Sequence, residues 1–151
     1  MRHPERKMTG RAEIDEFIRT CQVCRLGMVD GDEPYIVPMV FGYDGKALYF
    51  HSATAGRKIE CLKRTSRVCF EFDQVVEFKA NEIGCAWSVK FRSVMGTGTA
   101  MALTTDVGKR LALAIIMKQY SPADYSFPDD ALAATAVFRV EIDSISGKRN
   151  L

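Results

Sequence analysis

Two short turns most constrain what this chain can fold into. Asp30-Gly31-Asp32-Glu33 separates the apolar run 23–29 from YIVPMVFGY at 35–43, and Asp44-Gly45 separates that run from 46–51. Asp-Gly between two strand-like runs is a strong short-range hairpin signal, because residues that accept positive φ match the twist of the flanking strands. Two hairpins in series make an antiparallel meander. A parallel, doubly wound sheet would need a helix between most strands, and that alternation is missing. Pro38 sits inside the second run and cannot donate to a ladder, so that strand is expected to be an edge, bulged or irregular there.

The remaining pattern fills in around the meander. A helix is predicted over 11–21, with Ile14, Phe17 and Ile18 on one face. Thr9 is its candidate cap, and Glu13 lies one residue beyond the capping-box position. In the strand 46–51, Leu48 and Phe50 share one face, and Ala47, Tyr49 and His51 the other. A helix over 56–64 presents Ile59 and Leu62 inward, with Cys61 nearby. A strand 67–76 follows with Val68, Phe70 and Phe72 on one side, then a loop 77–85. Residues 86–101 read as one long strand or two with a bend, because Gly96 and Gly98 interrupt it. Thr104 or Thr105 caps a helix to 119 whose inner side carries Leu111, Ile115 and the stem of Lys118. A short helix 129–133 and a strand 136–146 complete the chain; Phe138, Val140 and Ile142 alternate with Val137, Arg139 and Glu141. The pattern is mainly β with flanking helices, a barrel or sandwich.

Composition narrows the function classes. With 151 residues and 47% hydrophobic content the chain can bury one proper core. Twenty-one Lys and Arg against 19 Asp and Glu leave a net charge of +2, with no concentrated basic patch for nucleic acid. No apolar run reaches bilayer length. The charged MRHPERKMTGR start has no apolar segment behind it, so a cytoplasmic protein is expected. One domain over 1–151 is expected, with residues 1–10 as a mobile or docking arm. Five cysteines, an odd number, argue against a disulfide framework. Cys21 and Cys24 form a CxxC, but no second CxxC or histidine pair completes four zinc ligands. Ordinary apolar packing is the expectation for them, and no metal is expected.

One stretch carries chemistry. KALYFHSATAGRKIECL, residues 46–62, runs from an apolar strand through small residues to a helix start bearing Arg57 and Lys58. The first amides of a helix lack intrahelical partners and sit at the positive end of the dipole, so an anion is stabilised there. Small residues let the backbone approach a ligand. Arg57 offers a forked donor and Lys58 a point charge. The competing reading is an ordinary solvated helix start. Trp87, the sole tryptophan, lies beside Ser88, Lys90 and Arg92; it either stacks on a planar ring or packs in the core.

The combination PYIVPMVFGY, LYFHSATAGRK, VCFEFD and WSVKFRSVMGTG resembles the pyridoxamine 5'-phosphate oxidase-like FMN-binding split barrels. Within these it is most similar to the nitroimidazole-resistance branch. The resemblance runs from Cys24 to Gly147-Lys148. It implies a six-stranded antiparallel split barrel with peripheral helices, and FMN bound at a homodimer interface. It also implies phosphate ligation by Arg57 and Lys58 with help from Ser52, Ala53 and Gly56. The flavin ring would lie along Val37, Pro38, Met39 and Val40. Trp87, Ser88, Arg92 and Ser93 would come from the later strand, some across the dimer. His51 would stand near flavin and substrate, either as a proton-transferring catalytic residue or as a hydrogen-bonded residue fixing the turn. The implied activity is a flavin-dependent reduction or oxidation of a small molecule, a nitro compound among the candidates. The alternatives are a non-catalytic FMN or heme holder and a deazaflavin-dependent reductase.

Overall fold

The computed structural model describes residues 3–151. Its centre is a seven-stranded, wholly antiparallel sheet with the order β2-β1-β5-β6-β7-β4-β3. The strands are β1 (Cys24–Asp30), β2 (Glu33–Met39), β3 (Gly42–Tyr43), β4 (Ala47–Ala53), β5 (Arg67–Lys79), β6 (Ser88–Leu103) and β7 (Thr135–Asn150). Four helices accompany them: α1 (Arg11–Thr20), α2 (Arg57–Arg64), α3 (Asp106–Tyr120) and α4 (Asp129–Ala133). The mainly β, antiparallel architecture expected from the two hairpin turns is present.

The sheet curls without closing. Its edge strands, β2 and β3, are joined in the chain by only Val40 and Phe41. The run 35–43 is therefore two strands, one more than the six expected. Pro38 sits within edge strand β2, opposite Arg25, where no second neighbour requires its missing N–H. The break falls two residues later. There Phe41 turns fully into the core, and its N–H donates to the Tyr120 hydroxyl at 2.9 Å. That hydroxyl donates in turn to the Gln22 carbonyl at 2.9 Å.

Two apolar cores lie on opposite sides of β4. Leu48 and Phe50 point inward with Leu26, Phe41, Phe70, Phe72, Val94 and Val140, and α1 adds Ile14, Phe17 and Ile18. Ala47 and Tyr49 point outward against Ala112 and Ile116 of α3. Burying each large apolar side chain stabilises by about 1.5–3 kcal/mol, so β4 is anchored from both faces. Gly42 allows the close fit of α3: a Cβ there would stand 2.6 Å from the Ile116 backbone nitrogen.

Several local expectations are corrected. On α2, Cys61 is fully buried and Leu62 packs half-buried against the core as expected, whereas Ile59 stays outside the core cluster. On α3, Ala112 and Ile116 face inward while Leu111 is 63% exposed; the small contact at Gly42 selects that side. The 77–85 loop begins later, since β5 continues to Lys79 past an irregularity at 75–77. The α1 cap position is Gly10 rather than Thr9, and the Thr9 N–H is accepted by Glu13 at 3.1 Å. Of the N-terminal arm, Met8 is buried and donates its N–H to the Gly147 carbonyl at 3.0 Å, so this part is docked. The expectation for residues 1–2 lies outside the described residues.

Candidate functional site

β4 ends, and α2 begins, at the turn that the sequence marks for an anion. Gly56 precedes α2 with φ +123°, a backbone conformation that L side chains rarely adopt. No side chain caps this helix start, so its first amide groups remain available. The Lys58 ammonium folds back to lie 2.9 Å from the Met39 sulfur. Among the described residues it has no carboxylate partner. Burial lowers its pKa from the ordinary 10.5. Burial also lowers the His51 pKa below 6.5, with the Lys58 charge adding to the effect. Both shifts have the sign of cations kept from water with no anion nearby.

The remaining expected contacts divide. Ser52 follows Leu48 and Phe50 on the barrel-interior face, so it points away from His51. Its hydroxyl donates to the neighbouring Ala53 carbonyl at 2.8 Å. Ser52 pairs with Ala136 of β7. There a largely apolar recess of about 250 Å³ opens beside α2, lined by Ile59, Leu62, Ala100, Ala136 and Phe138 together with Lys63. Met39 is buried and Val37 half-buried, whereas Pro38 and Val40 face outward from the edge strand. Arg57 is turned toward the β1–β2 turn, where its Nε donates to Asp30 at 2.7 Å and its Nη2 approaches Glu33 at 3.4 Å. Its guanidinium carbon lies 4.4 Å from the centre of the Tyr35 ring.

Trp87, Ser88, Arg92 and Ser93 are not part of this cluster within one chain. His51 pairs with Val137, and Val137 pairs with Leu103 at the far end of β6. From Leu103 back to Arg92 the strand runs about 35 Å at about 3.3 Å per residue. Trp87 is 55% exposed, which removes core packing as its role. Its indole N–H donates to the Asn81 carbonyl at 2.7 Å. Phe78, Trp87, Phe91 and Arg6 border a shallow depression of about 410 Å³. Arg92 stands opposite Arg149, and the latter is paired with Glu13.

The CxxC sulfurs are ordinary packing thiols. Burial pushes Cys21 up to about 11 and raises Cys24 further, so neither is a thiolate near neutrality. All five cysteines are free. Among the described residues no three His, Cys, Asp or Glu side chains converge as a metal site, and no helix is long and apolar enough to cross a membrane. The sequence reading missed Asp30, Glu33 and Tyr35 as partners of Arg57. Their only local signal was a pair of acids at a hairpin turn, which serves turn formation equally well.

Residues 10–149 match the pyridoxamine 5'-phosphate oxidase family. The chain belongs to that family. A crystal structure of a candidate 5-nitroimidazole antibiotic resistance protein from Bacteroides thetaiotaomicron is 33% identical and superposes with a TM-score of 0.84. The match covers 95% of this chain and 86% of that one. An uncharacterised Rhizobium meliloti protein is 26% identical across 94% of this chain and 93% of its own length. The flavocytochrome Anf3 of Azotobacter vinelandii has a TM-score of 0.88 at 19% identity, covering 100% of this chain and 72% of that one. At that identity the likeness concerns the fold. As a member of the pyridoxamine 5'-phosphate oxidase family, the chain carries its candidate site where β4 gives way to α2.

Proposed function

We propose that this protein is a flavin-dependent oxidoreductase that holds FMN by its phosphate at the β4–α2 junction and acts on a small molecule. The observation that carries the reading is Lys58: a half-buried ammonium without a carboxylate partner among the described residues, beside His51 and an uncapped helix start. A phosphate placed there would supply the missing anion and favour the charged form of Lys58. Membership of the pyridoxamine 5'-phosphate oxidase family, and 33% identity to the Bacteroides protein, support both the cofactor class and a nitro compound as the first substrate to try.

The bound flavin would supply the two-electron chemistry. The chain's residues would bind, orient and manage protons. Lys58 neutralises the phosphate, while Met39 and Val37 face the ring from β2. His51, whose pKa burial lowers from the ordinary 6.5, would accept or return a proton at an imidazole nitrogen.

The same reading calls for a homodimer. Trp87, Ser88, Arg92 and Ser93 lie too far along β6 to meet a flavin held by His51 and Lys58 of their own chain. A second copy can bring them there, with two equivalent sites about a two-fold axis. The exposed Val75, Val76, Phe78, Ile83 and Trp87 on the β5–β6 hairpin supply apolar surface suited to such a contact.

The test is a visible absorbance spectrum of the purified protein, repeated after adding FMN. The expected result is a bound-flavin spectrum that bleaches with NADH or NADPH and recovers faster with a nitroimidazole. No flavin spectrum and no FMN binding would sink the reading. Binding without turnover would leave a flavin holder, a heme band would point to a heme protein, and a co-purified deazaflavin to a different reductase.

A further inference from the structure

Arg57 and Lys58 are adjacent in sequence but differently engaged. Arg57 gives its Nε to Asp30 Oδ2 at 2.7 Å and reaches Glu33 at 3.4 Å, with the Tyr35 ring beneath it. The second oxygen of Asp30 accepts from Arg64 Nη2 at 2.6 Å. Arg57 and Arg64 are two turns apart and so share a face of α2, and the single Asp30 carboxylate spans both. These pairs raise the Arg57 pKa and lower that of Asp30. Lys58 projects from a different side of the helix and has only the Met39 sulfur.

We propose that Asp30 is a positioning residue for the phosphate site, holding α2 against the β1–β2 turn through Arg57 and Arg64 and leaving Lys58 as the cation that recognises the phosphate. The proposal rests on the flavin reading above and assigns the labour within it. To serve a phosphate directly, Arg57 would have to leave two carboxylates and an aromatic face. A phosphate drawn to Arg57 where it stands would meet the like charges of Asp30 and Glu33. Lys58 faces no such competition. Asp30 thus acts at a distance: it sets the angle at which α2 leaves the turn, and with it the placement of Lys58 and of residues 52–56.

Riboflavin, which has the ring of FMN without its phosphate, separates recognition from positioning. The full-length wild type and Lys58→Gln, Arg57→Gln and Asp30→Asn variants are titrated with FMN and with riboflavin. The wild type is expected to prefer FMN. Lys58→Gln should lose about ten- to a hundredfold in FMN affinity and little for riboflavin, so that the preference collapses. Arg57→Gln and Asp30→Asn, which misplace Lys58 without removing it, should weaken FMN by about two- to tenfold and riboflavin by less, so that the preference shrinks but persists. Their double variant should be no worse than the weaker single, because both break one connection. Arg57→Lys and Asp30→Glu, which can restore the ion pair, should recover most of the affinity and also serve if a neutral variant is unstable. Loss of the preference in Arg57→Gln, with Lys58→Gln unaffected, overturns the proposal while flavin binding stands. A wild type that binds both flavins equally also overturns it and leaves flavin binding intact. A wild type that binds neither overturns the flavin reading and this proposal together.

Discussion

β4 and the outer part of the β5–β6 hairpin are both antiparallel strand, but they are built for different surroundings. From Ala47 to Phe50 every residue of β4 is buried, with one core on each face. From Asp73 to Ser88 every residue is exposed, although Val75, Val76, Phe78, Ile83 and Trp87 are as apolar as those of β4. Such residues gain from burial wherever they find it. In β4 the chain supplies that burial itself. In the hairpin it does not, and the residues expected to complete the flavin site lie on or next to that uncovered surface. A rigid half-site and an unburied half-site on one chain fit a site finished by a second copy.

The comparison breaks most readily through stability. Phe50→Ala removes a fully buried ring stacked 5.5 Å from Phe138 and should cost about 3–5 kcal/mol, read by urea denaturation. Phe78→Ala, on a residue 67% exposed, should change the stability of the isolated chain by under about 0.5 kcal/mol, yet weaken self-association in sedimentation. Equal losses at the two positions would mean the hairpin is not a free surface.

A smaller effect is expected at Trp87. Trp87→Ala should weaken FMN binding about tenfold, or about 1.4 kcal/mol, with little change in the unfolding midpoint. Because Trp87 is the sole tryptophan, FMN should quench the intrinsic indole fluorescence of the wild type; unquenched emission at saturating FMN would remove Trp87 from the site.

The smallest effect is a pH dependence at His51, on the rigid side. Its folded pKa lies below the ordinary 6.5 because of burial and then Lys58. As pH falls through 6.5 toward that lower value, the unfolded chain takes up a proton that the folded chain resists. Stability therefore drops with falling pH in that window, and His51 has no such effect above it. His51→Gln should flatten the drop in thermal melts between about pH 7 and pH 5. An unchanged profile would mean another group carries it.

The two regions also differ in how far the sequence discloses them. The hairpin turns at 30–33 and 44–45 and the alternation in 46–51 showed β4 and its neighbours plainly, because turn chemistry and two-residue periodicity are local. The split at Val40–Phe41 was not legible. It is set by Phe41 reaching a core and a Tyr120 hydroxyl 79 residues away, whereas Pro38 marked only the edge character of β2. On α3 the inner side was read correctly at Ile115 but not at Leu111, because a close fit on Gly42 centres the contact on Ala112 and Ile116. At the site, the turn and its two cations were visible as a motif. That Arg57 is taken up by Asp30 was not, since no local pattern records a contact between a hairpin turn and a helix start 27 residues apart.

Complementation tests the shared site most directly. Lys58→Gln chains lack the rigid half and Trp87→Ala chains the hairpin half. They are mixed in equal amounts, unfolded and refolded together, and titrated with FMN. Random pairing about a two-fold axis places one undamaged composite site in each mixed dimer, so about a quarter of all sites should bind FMN with wild-type affinity while neither variant does alone. A mixture that shows only the weak binding of its two components, with mixed dimers present, would contradict a flavin site completed by a second copy.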